Sequence, residues 1–345
     1  MRTAASGPAA YHNPRMASPT SLLRLMRFGL APTAAADSAV LYFLTHADPW
    51  TAPAAAGTGL PPIDWGELGL LALASMGLYG FGMVQNDLVD QARDSLGRRD
   101  RPLVNGEVSP AAGSALAVGC AAVGLGAAAG VGRYTLVAAL VVFALINLYH
   151  LATKTLGGIG ILNLGLVRFA NALLFVADPQ LTWPPFVLFA HITLMTASAY
   201  RLEGKSPPLG LRDVAVLAAG CGLVAAAAAA GKLGLQGSWT NAAWLSAEGA
   251  GFRPLSDAAV GLSTLAFAGF AWHIGRTMRR DDLPGPARGG LLIKHGLLYL
   301  FALDAAFLLW DRPVGALCVL TAMGTSYGLM NILRKPPPAP PPTAE

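Results

Sequence analysis

The chain is short of charge. Only 12% of its 345 residues are Asp, Glu, Lys or Arg, where a soluble domain carries about 25%, and the deficit points to lipid. Cysteine is scarce as well. Cys120, Cys221 and Cys318 all fall in apolar stretches, where a thiol acts as a small buried hydrophobe, so a redox role is disfavoured. His191 and His273 stand singly on apolar faces and read as satisfied interior hydrogen bonds rather than metal ligands or catalysts. The first eighteen residues mix Ala, Ser, Pro and Gly with two arginines and lack the apolar core of a signal peptide. No internal repeat is visible, which counts against a transporter built from inverted halves.

What the chain does have is apolar length. Hydrophobic residues make up 54%, and mean hydropathy is +0.50. Runs approaching the length that spans a bilayer, about 20 residues, recur at Leu30–His46, Leu68–Val84, Ala111–Val131, Tyr134–Leu151, Gly158–Ala177, Pro185–Tyr200, Val214–Gly231, Ala258–Ile274, Leu291–Leu309 and Val314–Leu333. The expected fold is all-α: a polytopic membrane helical bundle of nine to ten transmembrane helices.

Basic residues orient such a bundle, because cytoplasmic loops are enriched in Lys and Arg. With ten alternating spans and the N-terminus inside, nineteen basic residues fall on the cytoplasmic side. Only Arg133, Lys232, Arg253 and Arg312 fall outside, and Arg168 lies within a span. The basic balance therefore follows from topology and anionic lipid, with no need for nucleic acid as a partner. An integral protein of the bacterial inner membrane, with both termini cytoplasmic, is expected. Residues 1–20 read as a disordered N-terminus, 21–335 as the membrane domain, and 336–345 as a proline-rich extended tail. Trp239 and Trp244, in the longest outer loop, suit an interfacial aromatic belt.

Against this background one segment is dense in charge. "NDLVDQARDSLGRRDRP", Asn86 to Pro102, holds four carboxylates and four arginines. At about 100° per residue, Asn86, Asp87, Asp90 and Asp94 share one helical face. Three carboxylates so close repel unless positive charge lies between them. Hard oxygen donors suit Mg²⁺, which takes one or two carboxylates and shares its other positions with water and phosphate oxygens. Arg98, Arg99 and Arg101 follow, and their forked donors suit a diphosphate. The same charges are compatible with a solvated loop whose acids and arginines pair with one another.

"NDLVDQARD" followed by "GRRDRPLVNGEVS" resembles the first aspartate-rich motif of the UbiA superfamily of intramembrane prenyltransferases. "LLRLMRFGLAPTAAADSA", "YHLATK" and "LNLGLVRFANALL" resemble that superfamily's first helix, the end of its fourth and its fifth, in order. The resemblance runs from about Leu22 to Trp310. It implies a bundle, usually of nine spans, with a cytoplasmic cavity where Mg²⁺ holds a prenyl diphosphate. By position, Asn86, Asp87, Asp90 and Asp94 would be metal ligands, with Asp90 and Asp94 central to catalysis. Arg27, Arg98, Arg101, Tyr149, Lys154, Asn163, Arg168 and Asn171 would line the substrate. A tenth span departs from the usual count.

The second aspartate motif is eroded. The sixth span ends "TASAYRLEGKSPP", with Glu203 as its one acid, between Arg201 and Lys205. The resemblance implies either that Glu203 is a remnant metal ligand and catalytic residue, or that Arg201 and Lys205 replace a metal's charge at the substrate. This erosion is closest to the EboC-like subgroup. Asp37, Arg168 and Asp304 lie within spans and should face the interior with partners; Arg168 suits either a structural lock or a contact to substrate phosphate. The function expected is transfer of an isoprenyl group from a prenyl diphosphate to an aromatic or lipid acceptor. The alternative is a non-catalytic isoprenoid-binding membrane protein with a relic site. The sequence chooses neither the acceptor, nor the prenyl length, nor an oligomeric state.

Overall fold

A computed structural model describes residues 17–51, 60–96, 100–176, 181–232 and 256–334. The expectations for the N-terminal arm, for Arg98 and Arg99, for the Trp239–Trp244 loop and for the proline-rich tail lie outside the described residues. Twelve α-helices are present among those described. They are α1 (Pro19–Leu25), α2 (Ala31–Leu44), α3 (Trp65–Val89), α4 (Gln91–Asp94), α5 (Pro110–Val131), α6 (Arg133–Leu148), α7 (Gly158–Ala172), α8 (Trp183–Leu202), α9 (Leu211–Lys232), α10 (Asp257–Met278), α11 (Gly285–Leu308) and α12 (Pro313–Ile332).

Local chemistry sets the helix starts. Asp64 Oδ1 accepts the Gly66 and Glu67 amides ahead of α3. Ser109 accepts the Ala112 amide at α5 and Ser256 the Ala259 amide at α10; such side-chain caps satisfy amides that have no partner in a first turn. Proline occupies the first turn of α5, α8 and α12, where its missing N–H costs nothing.

Each of the ten apolar runs forms a helix. Seven are long and apolar enough to cross a membrane: α3, α5, α6 with the turn that follows it, α9, α10, α11 and α12. The helices of the first and fifth runs are shorter than those runs suggest, α2 with 14 residues and α7 with 15. Both are inner elements, and the end of α2 is closed by protein. Arg312 donates to the Phe43 carbonyl at 2.9 Å and the Leu44 carbonyl at 3.2 Å, supplying partners that water gives elsewhere.

The bundle wears its apolar surface outward. Leu223, Leu265 and Trp272 are about 70% exposed or more, while Asp37, Arg168, His191 and Asp304 are buried. Lipid on the outside and polar groups inside follow from the cost of charge in hydrocarbon. Packing between α3 and α5 is tight at Gly77, where a Cβ would lie 2.7 Å from Gly124 Cα. Small residues permit this backbone approach, which drives helix association in lipid. His191 Nε2 meets the Gly296 carbonyl at 2.8 Å, and the half-buried His273 meets His295 Nδ1 through Nε2 at 3.1 Å; each histidine has one hydrogen-bond partner, while the buried His191 Nδ1 has none among the described residues.

Candidate functional site

Helical geometry persists past the end of α3. The Asp90 amide bonds the Asn86 carbonyl at 3.0 Å, and the Asp94 amide bonds the Asp90 carbonyl at 2.8 Å. Asn86, Asp87, Asp90 and Asp94 therefore keep the spacing that puts their oxygens on one side. Asp87 is 5% and Asp94 7% exposed at the side chain.

Three cations from three other segments interleave with these oxygens. Arg101 places one nitrogen 2.5 Å from Asp87 Oδ1 and 2.6 Å from Asp94 Oδ2. Lys154 Nζ lies 2.5 Å from Asp90 Oδ2 and donates to Asn86 Oδ1 at 2.8 Å. Arg27 reaches Asp87 Oδ1 at 3.1 Å, and the Asn86 amide donates to the same oxygen at 3.0 Å. The repulsion expected among the carboxylates is thus answered by guanidinium and ammonium groups.

Each cation is delivered by a specific local device. Arg27 has φ 49° and ψ 42°, a left-handed conformation that costs a non-glycine residue roughly 1 kcal/mol or more. It turns the chain between α1 and α2. Arg101 sits in the connection that precedes α5, where Glu107 is pinned by Arg24 at 2.9 Å and by the Ser21 hydroxyl at 3.0 Å. Leu103 and Val108 anchor the same connection in the core.

Lys154 arrives through a π turn over Tyr149–Thr153. Its amide bonds the Tyr149 carbonyl at 2.9 Å, a five-residue ring wider than the α-helical one; such turns recur at functional sites. Asn163 steadies the turn by donating to Thr153 Oγ1 at 2.9 Å. Burial pushes the Lys154 ammonium below the ordinary lysine range, and the Asp90 carboxylate beside it opposes that shift.

A cleft of about 310 Å³ opens beside the cluster, lined by Asp90, Arg93, His150, Leu151, Lys154 and Thr155 among others. Arg93, His150 and Thr155 were not among the residues anticipated for the site. For Arg93 the signal was available, since it follows Asp90 by one helical turn and lies 4.0 Å from it. His150 carried none, because only the π turn sets its ring against that of Tyr149, with centroids 4.9 Å apart.

Other anticipated residues stand apart from the cluster. Arg168 binds Asp37 and, at 2.9 Å, the Thr33 hydroxyl. Asn171 donates to the Ala34 carbonyl at 2.9 Å and meets the Ser75 hydroxyl at 2.7 Å, tying α7 to α2 and α3. Asn163 serves the π turn. Glu203 pairs with Lys205 at 2.8 Å and packs where a Cβ on Gly289 would touch it, at the start of α11. Arg201 is exposed at the end of α8.

Among the described residues, no three Asp, Glu, His or Cys side chains close around a metal-sized space, because Arg101 and Lys154 lie between the acids. The donor chemistry nonetheless fits Mg²⁺. Asp87 and Asp94 oxygens share one guanidinium nitrogen, and Asn86 and Asp90 oxygens share one ammonium. One or two such carboxylates suffice for Mg²⁺ when phosphate and water complete the shell. Glu203 lies outside this set.

Fold and cluster together define a helical membrane bundle with a mixed acid–base site at the ends of its helices. The chain belongs to the UbiA prenyltransferase family, whose model matches residues 49–282. Its fold is that of a structure reported for digeranylgeranylglyceryl phosphate synthase, with a TM-score of 0.52 at 14% identity over 88% of this chain and 98% of the other. A UbiA homologue from Aeropyrum pernix K1 matches at 19% identity and TM-score 0.47 over 86% and 98% of the two chains. One from Archaeoglobus fulgidus, bound to DMAPP and Mg²⁺, matches at 14% and 0.42 over 90% and 99%. No curated protein matches the chain.

Proposed function

We propose that this protein is an intramembrane prenyltransferase that moves an isoprenyl group from a prenyl diphosphate to an aromatic or lipid acceptor. One observation carries the reading: four side-chain oxygens and three cations interleave at the mouth of an apolar bundle. Asn86, Asp87, Asp90 and Asp94 would hold Mg²⁺, which supplies charge neutralisation and Lewis acidity at phosphate oxygens when bound. Arg27, Arg101 and Lys154 would turn from carboxylate to diphosphate oxygens and stabilise the departing anion. Tyr149, next to Lys154, would border the diphosphate. The apolar walls would take the isoprenoid tail and keep water from the electron-poor allylic carbon. The excess of basic residues at this end of the bundle supports a cytoplasmic mouth.

A second reading, an isoprenoid-binding protein without catalysis, is favoured by one feature. Glu203, the acid at the eroded motif, is engaged by Lys205 rather than by the cluster. Incubating the purified protein with radiolabelled geranylgeranyl diphosphate, Mg²⁺ and a lipid extract separates the two. A new labelled lipid, absent with Asp90→Asn, supports the enzyme. Tight, metal-dependent binding without any labelled product supports the binding protein.

A further inference from the structure

The middle of the bundle holds a second charged group that the diphosphate chemistry does not use. Asp37 on α2, Arg168 on α7 and Asp304 on α11 meet there, and Asp37 and Asp304 are fully buried. Arg168 donates to Asp37 Oδ2. The carboxyl groups of Asp37 and Asp304 are in hydrogen-bonding range of each other. Other polar groups near Arg168 are Thr33, which accepts its second nitrogen at 2.9 Å, His191 on α8 and Tyr79 on α3.

Two counts fail to balance. Two carboxyl groups face one guanidinium, so with both ionised the centre would carry a net negative charge in hydrocarbon, which is costly. The hydrogen bonds are short of donors as well. Among the described residues, Asp37 Oδ1 and both oxygens of Asp304 lack a partner, and all three atoms are sealed from water. Carboxylates bring acceptors only, whereas a protonated carboxyl brings one donor. No space adjoins Asp304, whose exposure is 0%, so the missing component has to be very small.

We propose that Asp304 binds a single proton and donates it to Asp37 Oδ1, making the Asp37–Arg168–Asp304 group a neutral, proton-bridged lock between α2, α7 and α11. One proton closes the charge count and partners two of the three oxygens, Asp37 Oδ1 and the Asp304 oxygen that carries it; the second Asp304 oxygen remains an acceptor without a donor among the described residues. The proton cancels the surplus negative charge and supplies a donor between the two facing carboxyl groups. Asp37 then bridges Arg168 through one oxygen and Asp304 through the other. The ligand of this site is a proton, and a monovalent metal ion is the competing occupant.

Infrared spectroscopy of the purified full-length protein at neutral pH reads the state directly. The expected wild-type spectrum contains a protonated-carboxyl C=O band that shifts in ²H₂O and disappears in Asp304→Asn. The Asn variant supplies an amide donor in place of the acid, so its melting temperature should stay within about 3 °C of wild type. Asp37→Asn should also remove the band, because Asp304 becomes the only carboxylate available to Arg168; this second variant decides the matter where the first folds poorly. A neutral-pH spectrum without any protonated-carboxyl band overturns the proposal, and that result needs no variant. A band that persists in both variants also overturns it. So does a wild-type melting temperature that rises with Na⁺ or K⁺ while that of Asp304→Asn does not.

Discussion

The mouth of the bundle and its centre use the same side chains in opposite ways. At the mouth, three carboxylates and the Asn86 amide face three cations, and Arg27 retains 39% side-chain exposure. At the centre, two carboxyl groups face one guanidinium and water is excluded. Asp87, Asp94 and Arg101 are 5–11% exposed, but Asp90 and Lys154 line an open cleft, so the mouth cluster is within reach of an arriving diphosphate. Charges sealed in hydrocarbon are costly to separate, so the centre suits a permanent clasp between helices. Access to an open cleft, more than composition, divides the mouth from the centre.

Substitutions can break that contrast. The largest effect is expected from Asp90→Asn at the mouth. Turnover in the radiolabel assay should fall by about 10² or more, the scale seen when one preorganised stabilising group is lost, while far-ultraviolet circular dichroism stays unchanged. Arg168→Met should act on the fold instead. Leaving Asp37 buried without its guanidinium costs about 3–5 kcal/mol, which thermal unfolding of a 345-residue chain should register as a melting temperature lower by about 4–7 °C. An Arg168→Met protein with normal stability and lost diphosphate binding would move this arginine into the substrate site and erase the contrast.

Lys154→Met should weaken geranylgeranyl diphosphate binding by about tenfold or more, since hydrogen bonds to charged groups contribute about 1.5–3 kcal/mol; equilibrium binding of the labelled ligand checks this. Glu203→Gln is expected to matter least. Its carboxylate is held by Lys205, a residue 48% exposed at the side chain, and such pairs contribute about 0–1 kcal/mol. Turnover within a few-fold of wild type is the expected result, and a loss near 10² would restore Glu203 to the metal site.

What the sequence made legible follows from local periodicity. Asn86, Asp87, Asp90 and Asp94 were readable as one face because the α-helical repeat continues through the end of α3. The ten helices were readable from their apolar runs, but the short lengths of α2 and α7 depend on the carbonyl partners and neighbours of inner helices. Tyr149 and Lys154 are five apart, about 140° around an α-helix, and their relation depends on a π turn that no repeat announces. The pairing of Asp37 with Arg168 spans 131 positions, so no local repeat announces it. Glu203 was read from its place in the eroded motif, and its contact with Lys205 became visible only once the chain had turned after α8.

Titration of the purified protein with labelled geranylgeranyl diphosphate, with Mg²⁺ and then with EDTA, tests most directly whether the mouth binds a diphosphate with a metal. Wild-type affinity should fall sharply on chelation, and Asp90→Asn should bind weakly in both conditions while remaining folded. Wild-type affinity that ignores EDTA, or an Asp90→Asn variant that binds as wild type does, would contradict it.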